Sequence, residues 1–484
     1  MKVDKLRMLS RMTHIIYACL ISLSVALGQS LDLEPIVFSM VRSTGDWWQP
    51  DARPVSYSGA GIRGVYKKGN LEISSEFVNT RFSGLTQFPS RFTPEEALSS
   101  KAHATFQEDE FDSDYTNMLI KYRFRDLQVL AGKYHLNWGI AENNILGSSK
   151  APTVPRFGFD WQILDWLNFK YDHAKLNSGL IDTLLSEASP TRYRGREIIR
   201  NRYFVTHRLE ITFPFGLVLA GSESVVYGDR SLEMVYLLPF LSYWSAQHFL
   251  GDLDNTWISL EASLQIRSGV TVYGIFLMDE WRPQWTFQDN NRNWFGWEYG
   301  LLARDLVRTG DQLRIEGTWT DHRIYRHGFP VNDYYSHGNP VGHWTGPHAQ
   351  SLSLGYHLPV GKGFVSTRYF LAKRGELTEQ MVRDQYASVP YSRFSGNMET
   401  LRSTRLALYW PTLRDTWLEI SVTNNDWMNA GFDPFNPSAQ TSGDIQKWSL
   451  NFGVYHNFSL NGYDASFLFQ DNILGSSHGA EPER

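Results

Sequence analysis

The stretch of residues 321–348 concentrates side chains that could bind a metal ion or a sugar. It holds five histidines and two aspartates, namely His322, His327, His337, His343 and His348 with Asp321 and Asp333. Imidazole and carboxylate groups are good metal ligands, but the spacing matches no tight ligand signature such as HExxH. Aromatic residues lie between them: Tyr325, Tyr334, Tyr335 and Trp344. Because aromatic rings pack on the apolar faces of sugars while polar side chains bind hydroxyl groups, we expect a surface loop that binds glycan, and no metal.

Four tryptophans upstream extend this prediction to a larger glycan surface. They are Trp281, Trp285, Trp294 and Trp297. The alternative is that these residues form an aromatic girdle at a membrane interface, where tryptophan is enriched.

Neighbouring carboxylates do not support an enzyme. Asp279 and Glu280 are adjacent, so on a strand they point to opposite faces and cannot form the converging pair that glycoside hydrolysis needs. Asp254 or Glu223 could supply a partner from another strand, which the sequence leaves open. Scattered serine and histidine residues are too common in this chain to indicate a catalytic triad. We therefore expect no catalysis.

A second polar group surrounds residue 135. Lys133, His135 and Asn137 share one face of an expected strand, opposite Tyr134 and hydrophobic neighbours. If this strand belongs to a β-barrel, they would point into its lumen, toward the loop that carries Glu142. Two interpretations remain open: these residues bind saccharide, or they belong to an ordinary luminal network.

His207 and Arg208 alternate on another expected strand, 203–209. If Arg208 faces the lumen, its simplest partner is Glu210 or Glu223, and His207 then faces lipid or a strand end. We expect an ion pair with a structural role.

The elements that position these residues alternate apolar and polar side chains. In the segment 257–267 the even positions are apolar and the odd positions mostly polar, as a strand with one greasy and one wet face requires. The pattern recurs almost to the C-terminus. Charges such as Glu72, Arg314 and Glu419 share the wet face. This predicts an all-β fold: a transmembrane antiparallel β-barrel of about 18 strands (16–18) in one domain, residues 29–484.

Turns and loops fit the same architecture. Short turns are expected at 68–70, 214–216, 267–269, 309–311 and 360–362, and long polar loops near 81–114, 142–156, 181–200, 282–295, 321–348, 375–401 and 426–445. The segments 157–173 and 232–238 are the weakest for strand counting, and the last strand is expected near 462–473.

The N-terminus resembles an export signal. Lys2, Lys5, Arg7 and Arg11 precede an apolar run that ends at Ala26-Leu27-Gly28, so we expect residues 1–28 to be removed. The rest of the chain has no cysteine and a balance of about −8, from 42 basic and 50 acidic residues. A mild acidic excess without a basic stripe gives no support to nucleic-acid binding.

Residues 132–356 contain a series of short motifs in a defined order. They are Gly132-Lys133-Tyr134-His135 with Asn137-Trp138-Gly139, Asn143-Asn144, Pro152 and Pro155, Tyr203 to Leu209, Gly221-Ser222-Glu223, Tyr236 to Phe240, Asp254-Asn255, Phe276 to Trp281, and Gly342-His343-Trp344 with Gly346-Pro347. In this order the motifs resemble those of the Wzi family of outer-membrane capsule-assembly proteins. The resemblance implies an 18-stranded barrel that acts as a lectin without catalysis or cofactor.

The residues assigned to glycan binding or to a luminal network are His135, Asn137, Trp138, Glu142, Arg208, Glu223, Asp254, Asp279, Glu280, Trp281, His343 and Trp344. The predicted function is to anchor or help assemble capsular or extracellular polysaccharide at the outer membrane of a Gram-negative-type bacterium. Outer-membrane lipid and the capsule-export machinery are further expected partners. The alternative is a diffusion porin or saccharide channel with an open lumen.

Overall fold

The computed structural model describes residues 30–43, 54–84, 92–94, 110–136, 138–188, 197–281, 283–285, 293–378, 380–381, 393–394, 396–413 and 415–457. The export signal and the segment 462–473 lie outside these residues, as does Asn137. Within the described residues, no helix is both long and apolar enough to cross a membrane.

Eighteen antiparallel strands form one closed barrel, which confirms the predicted fold class. They are Ser30–Arg42, Val55–Lys68, Leu71–Ser83, Glu110–Phe124, Leu127–Tyr134, Val154–Leu164, Leu167–Ile181, Ile199–Thr212, Leu217–Gly228, Asn255–Arg267, Val270–Glu280, Trp294–Arg304, Gln312–Thr320, Ala349–Val360, Gly363–Gly375, Met398–Leu413, Thr416–Met428 and Ile445–His456. Each pairs with the next. The first pairs with the last, with Val37 opposite His456 and Arg42 opposite Asn451.

Closure of the barrel corrects the prediction for its last strand. The strand that pairs with Ser30–Arg42 is Ile445–His456, so the barrel closes before the segment 462–473 is reached. Of the two weak segments, 157–173 is a hairpin of two strands, whereas 232–238 lies in a loop and contains the 3-10 helix Val235–Leu237.

The strands alternate between an outer wall and the lumen, as the sequence pattern requires. In Asn255–Arg267, Leu260 is 54% exposed on the outer wall, whereas Trp257 and Ser259 are buried toward the lumen. Charges on the luminal side form ion pairs: Arg63 with Glu76 at 2.6 Å, and Arg405 with Glu419. Pairing of this kind offsets the cost of taking charges out of water.

Short turns lie at one rim of the barrel and long loops at the other. Gly69 and Gly269 adopt φ values of 55° and 74° in the short turns, a conformation that glycine adopts without strain. The long-loop rim includes a loop that the sequence did not indicate, 229–254, which contains the helix Tyr243–Phe249.

Buried apolar residues fill much of the lumen in two clusters. One includes Met40, Trp344, Phe370, Trp427 and Tyr455. The other includes Leu136, Ile145, Trp257, Tyr325 and Tyr334. Because each cluster combines wall residues with loop residues, loops from the long-loop rim fold inward.

Candidate functional site

The loop 321–348 lies inside the barrel, which corrects the prediction of a surface loop. Tyr325, Tyr334 and Trp344 are buried. The ring of Trp344 packs against Phe92 and against Phe370 of the wall, with centroid distances of 5.3 and 5.7 Å. Burial of large aromatic surface stabilises the inward position. We call this loop the plug.

A second loop, residues 135–153, is joined to the plug by hydrogen bonds. The Tyr334 hydroxyl donates to the Leu146 carbonyl at 2.6 Å, and the Tyr325 hydroxyl donates to the Ile145 carbonyl. Gly342 lies at the contact, and a Cβ atom there would be only 2.3 Å from the Tyr325 hydroxyl. The two loops therefore pack as one body at this point.

Arg202 fixes the plug to the barrel wall. Its guanidinium donates to the carbonyls of Val331, Tyr335 and Pro330 at 2.5, 2.7 and 2.6 Å. The side chain is buried on the strand Ile199–Thr212. Hydrogen bonds from a charged donor are stronger than neutral ones, so one wall residue holds three backbone positions of the plug. No feature of the sequence indicated this role.

The plug histidines are structural. Burial lowers the pKa of His343 to about 3 and the pKa of His348 and His322 to about 4. His343 Nδ1 lies 2.8 Å from the Thr345 hydroxyl, and His348 Nδ1 lies 2.7 Å from the Glu376 carbonyl. Among the described residues, no group of three His, Cys, Asp or Glu side chains could hold a metal ion.

A charge network joins the loop 135–153 to luminal residues of the barrel wall. Glu142 pairs with Arg368 across the interior, and its backbone N–H donates to the Glu316 carboxylate at 2.8 Å. Arg314 pairs with Glu316 at 3.0 Å and donates to the Ile140 carbonyl. Glu142 thus belongs to a luminal network, one of the two roles considered for it.

His135 and Trp138 lie in that loop rather than on a strand, because the strand Leu127–Tyr134 ends before them. The His135 carbonyl accepts a hydrogen bond from Arg156 Nη1 at 2.8 Å, and the Trp138 carbonyl accepts one from Asn144. Both contacts hold the loop to its surroundings.

The pairing of Arg208 agrees with one of its two expected partners. Arg208 lies 3.3 Å from Glu210 and also contacts Glu261 on the luminal side. Asp279 and Glu280 point to opposite faces, as expected from a strand. The Asp279 carboxylate accepts a hydrogen bond from the Tyr325 N–H of the plug at 2.9 Å, whereas Glu280 is exposed.

Glu223 and Asp254 do not face the lumen, which corrects their assignment to it. Glu223 is paired in register with Ile258, whose side chain is on the outer wall. Asp254 binds Arg230 at 2.6 Å and accepts a hydrogen bond from the Tyr236 hydroxyl at 2.7 Å. Asp254, Arg230 and Tyr236 belong to the loop 229–254, which covers part of the outer wall, whereas Glu223 lies on the strand Leu217–Gly228.

The predicted tryptophan surface is dispersed. Trp294 is buried, Trp281 is exposed beside the long-loop rim, and Trp297 stacks on Phe276 on the outer wall at 3.9 Å. The structure therefore does not bring these residues together with His343 and Trp344.

An aromatic surface that the sequence did not indicate lies where the plug meets the loop 429–444. Phe435 is 42% exposed and Phe329 is 51% exposed. The Arg326 guanidinium lies 4.6 Å from the Phe435 ring centroid and forms an ion pair with Asp333 at 3.1 Å, and Tyr335 lies 6.3 Å from Phe435. We call these five residues the aromatic platform. The only sequence signal was an aromatic residue in the polar segment Asp433-Pro434-Phe435.

Comparison with known proteins shows likeness in fold. No family model matches the chain, and no curated protein matches it. Acinetobacter baumannii OccAB3 and Pseudomonas aeruginosa OprD are similar at 10% and 11% identity, with TM-scores of 0.43 for both, over 88% of this chain and 98% and 94% of theirs. Escherichia coli Wzi, described as an outer-membrane protein involved in group 1 capsule assembly and a carbohydrate-binding β-barrel, is similar at 13% identity and a TM-score of 0.54, over 89% of this chain and 85% of its own. The chain therefore has a Wzi-like outer-membrane barrel fold.

Proposed function

We propose that this protein is an outer-membrane lectin, a barrel that binds capsular or extracellular polysaccharide and anchors it or helps assemble it at the cell surface without catalysing a reaction. The observation that carries the proposal is the plug, which occupies the lumen and is held by three hydrogen bonds from Arg202. A packed loop in the lumen favours a binding surface over a diffusion path. The description of Wzi as a carbohydrate-binding barrel supports the same assignment.

The aromatic platform is the proposed contact for the polysaccharide. Exposed rings of Phe329 and Phe435 can pack on the apolar faces of sugar rings. The Arg326 guanidinium, which is held by the buried Asp333 carboxylate at 3.1 Å, supplies donors for hydroxyl groups beside the rings. This assignment replaces Trp344, which is buried in the plug.

The apolar outer wall is the basis for placing the barrel in the outer membrane. Leu260, Leu406 and Leu450 are exposed on it, as side chains in contact with lipid would be. Outer-membrane lipid is therefore a proposed partner. The capsule-export machinery is a further one, because a polymer held at this surface must be delivered from inside the cell.

Polysaccharide binding tests the platform directly. The purified barrel is titrated with capsular polysaccharide of the producing strain, and Phe435→Ala is compared with Phe215→Ala, which removes an exposed ring at the short-turn rim. Loss of a ring contact worth roughly 0.5–1.5 kcal/mol should weaken binding by up to about tenfold for Phe435→Ala and not for the control. Equal binding by both variants would remove the platform from the proposal.

Single-channel recording in a planar bilayer tests the filled lumen. We expect no steady conductance from the wild-type protein. A large and steady conductance would contradict the plugged lectin and favour a diffusion porin or saccharide channel.

A further inference from the structure

Part of the outer wall carries polar side chains at a height where neighbouring strands are apolar. His173, His207 and Glu223 face outward, and His207 lies 3.3 Å from Glu223. In register, Glu223 is opposite Ile258, and Ile258 is opposite Met278. Polar groups at this height would be costly against lipid if nothing covered them.

The loop 229–254, which we call the flap, covers these groups. The Glu223 carboxylate accepts hydrogen bonds from the N–H groups of Tyr243 and Trp244 at 2.8 and 2.6 Å and from the Ser242 hydroxyl at 3.1 Å. It thereby caps the helix Tyr243–Phe249. The His207 ring packs against the Tyr243 ring at 4.4 Å. The polar side chains of the wall thus find their partners in the flap.

Hydrogen bonds from the wall and within the flap also pair backbone groups of the flap. The Tyr171 hydroxyl of the wall donates to the Tyr236 carbonyl at 3.1 Å, and the Ala246 N–H donates to the Ser242 carbonyl at 3.0 Å. Irregular backbone is tolerated at membrane depth only where such groups have partners.

The side of the flap that faces away from the barrel is apolar. Phe249 is 83% exposed and Leu238 is 56% exposed, and they are joined by Met234, Leu241 and Trp244. The charged residues Arg230 and Asp254 instead pair with each other at 2.6 Å. A loop covered by water would gain nothing from this arrangement.

The flap extends far down the wall and adjoins other apolar surface. Phe240 stacks on Phe169 at 4.7 Å, only two residues from the start of the strand Leu167–Ile181 at the short-turn rim. Beside it, an apolar groove of about 640 Å³ is lined mainly by side chains such as Leu209, Leu260 and Trp297. The exposed face of the flap is therefore continuous with the apolar wall.

We propose that the flap lies in the hydrocarbon of the surrounding membrane, as a lipid-facing segment docked on the outside of the barrel. This inference rests on the proposed location of the barrel in a membrane. Lipid is favoured over a second copy of the chain because the exposed face continues the apolar wall on both sides of the flap, and because Arg230 pairs within the flap with Glu233 and Asp254. The exposed charges of the flap, Asp229 and the His248–Asp252 pair, lie near its two ends, where it joins the strands at the long-loop rim.

Spin labels at single cysteines test the depth of the flap. The chain has one cysteine, Cys19, which is changed to Ser. Labels are placed by Leu238→Cys in the flap, Leu260→Cys on an exposed strand position and Phe435→Cys on the aromatic platform. The protein is reconstituted in phosphatidylcholine vesicles, and collision with oxygen, which concentrates in hydrocarbon, is compared with collision with a water-soluble nickel chelate.

We expect the label at residue 238 to match the label at 260, with several-fold more collision with oxygen than with nickel, and the label at 435 to show the reverse. If 260 reports lipid and 238 reports water, the flap inference fails while the membrane location stands. If 238 is reached by neither reagent, a protein covers the flap and the lipid assignment is wrong. If 260 also reports water, both the inference and the proposed location fail. A second flap label, Phe249→Cys, guards against a local defect at 238.

Discussion

Replacement of Arg202 by Met should release the plug from the wall. The change removes the guanidinium that donates to the Pro330, Val331 and Tyr335 carbonyls, while the side chain keeps a similar apolar length. Three hydrogen bonds from a charged donor contribute roughly 1.5–3 kcal/mol each. The substitution also removes the desolvation cost of burying the guanidinium, which offsets several kcal/mol of this loss. The net loss is therefore about 3 kcal/mol, or roughly a hundredfold in the population of the released plug.

Native-state hydrogen exchange measures this population. In the plug, the Tyr334 N–H bonds to the Tyr325 carbonyl at 2.8 Å and the Val341 N–H to the Tyr334 carbonyl at 3.1 Å. Both amides should exchange about a hundredfold faster in Arg202→Met, because each needs the plug to open locally.

Arg200→Met is the matched control, since Arg200 lies on the same strand and pairs with exposed Asp229. A surface ion pair contributes roughly 0–1 kcal/mol, so plug exchange should hardly change. The reasoning is refuted if Arg202→Met leaves plug exchange at the wild-type rate, or if exchange accelerates equally in the strand Thr416–Met428, which would indicate global loss of stability.

Three further outcomes follow from the geometry. Glu223→Ala removes three hydrogen bonds from the flap at about 1 kcal/mol each, so amides of residues 242–249 should exchange faster while plug amides do not. Acidification from pH 7 to 5 should loosen the plug. His322, His343 and His348 have lowered pKa values in the closed plug, so they bind fewer protons there than in a released plug. Each therefore lowers the stability of the closed plug by about 2 kcal/mol at pH 5. Burial raises the pKa of Asp333 to about 6, which opposes this by about 1 kcal/mol; unchanged plug exchange at pH 5 would contradict the balance. Gly342→Ala should lower the free energy of unfolding by an overpacking cost of about 1–3 kcal/mol, which is measured as a lower urea midpoint. Gly274→Ala, with room for a Cβ atom, should leave the midpoint unchanged.

The barrel was predictable because strand alternation is a local property of the sequence. Leu260 and its alternating neighbours face outward as the pattern requires, and the short turn at Gly69 lies where glycine predicts it. The closing strand was misplaced because the alternation continues in residues beyond 457. A repeated pattern does not say which repeat closes the ring.

The position of the plug was not predictable from local features. Histidines and aromatics in a polar loop fit a surface as well as an interior, and the partners that decide between them come from distant segments. The Tyr325 hydroxyl binds a carbonyl 180 residues away in the chain, and Trp344 packs on Phe92. The aromatic and histidine residues that favoured a sugar-binding surface are therefore buried inside the barrel.

The presence of the flap was indicated by the strand alternation around His207 and Glu223, but the charge of Glu223 led to the wrong face of the wall. Outward orientation of His207 was expected from the alternation and is confirmed. Glu223 was expected in the lumen as a partner of the charged Arg208, yet its register partner Ile258 is on the outer wall. A carboxylate that alternation places outside, next to a histidine that it also places outside, indicates that something covers both. The segment 229–254 can provide this cover, because it directly follows the strand that carries Glu223 and lacks strand alternation. Local alternation thus has priority over residue charge in assigning a barrel face, and a charge on the wrong face predicts a covering segment.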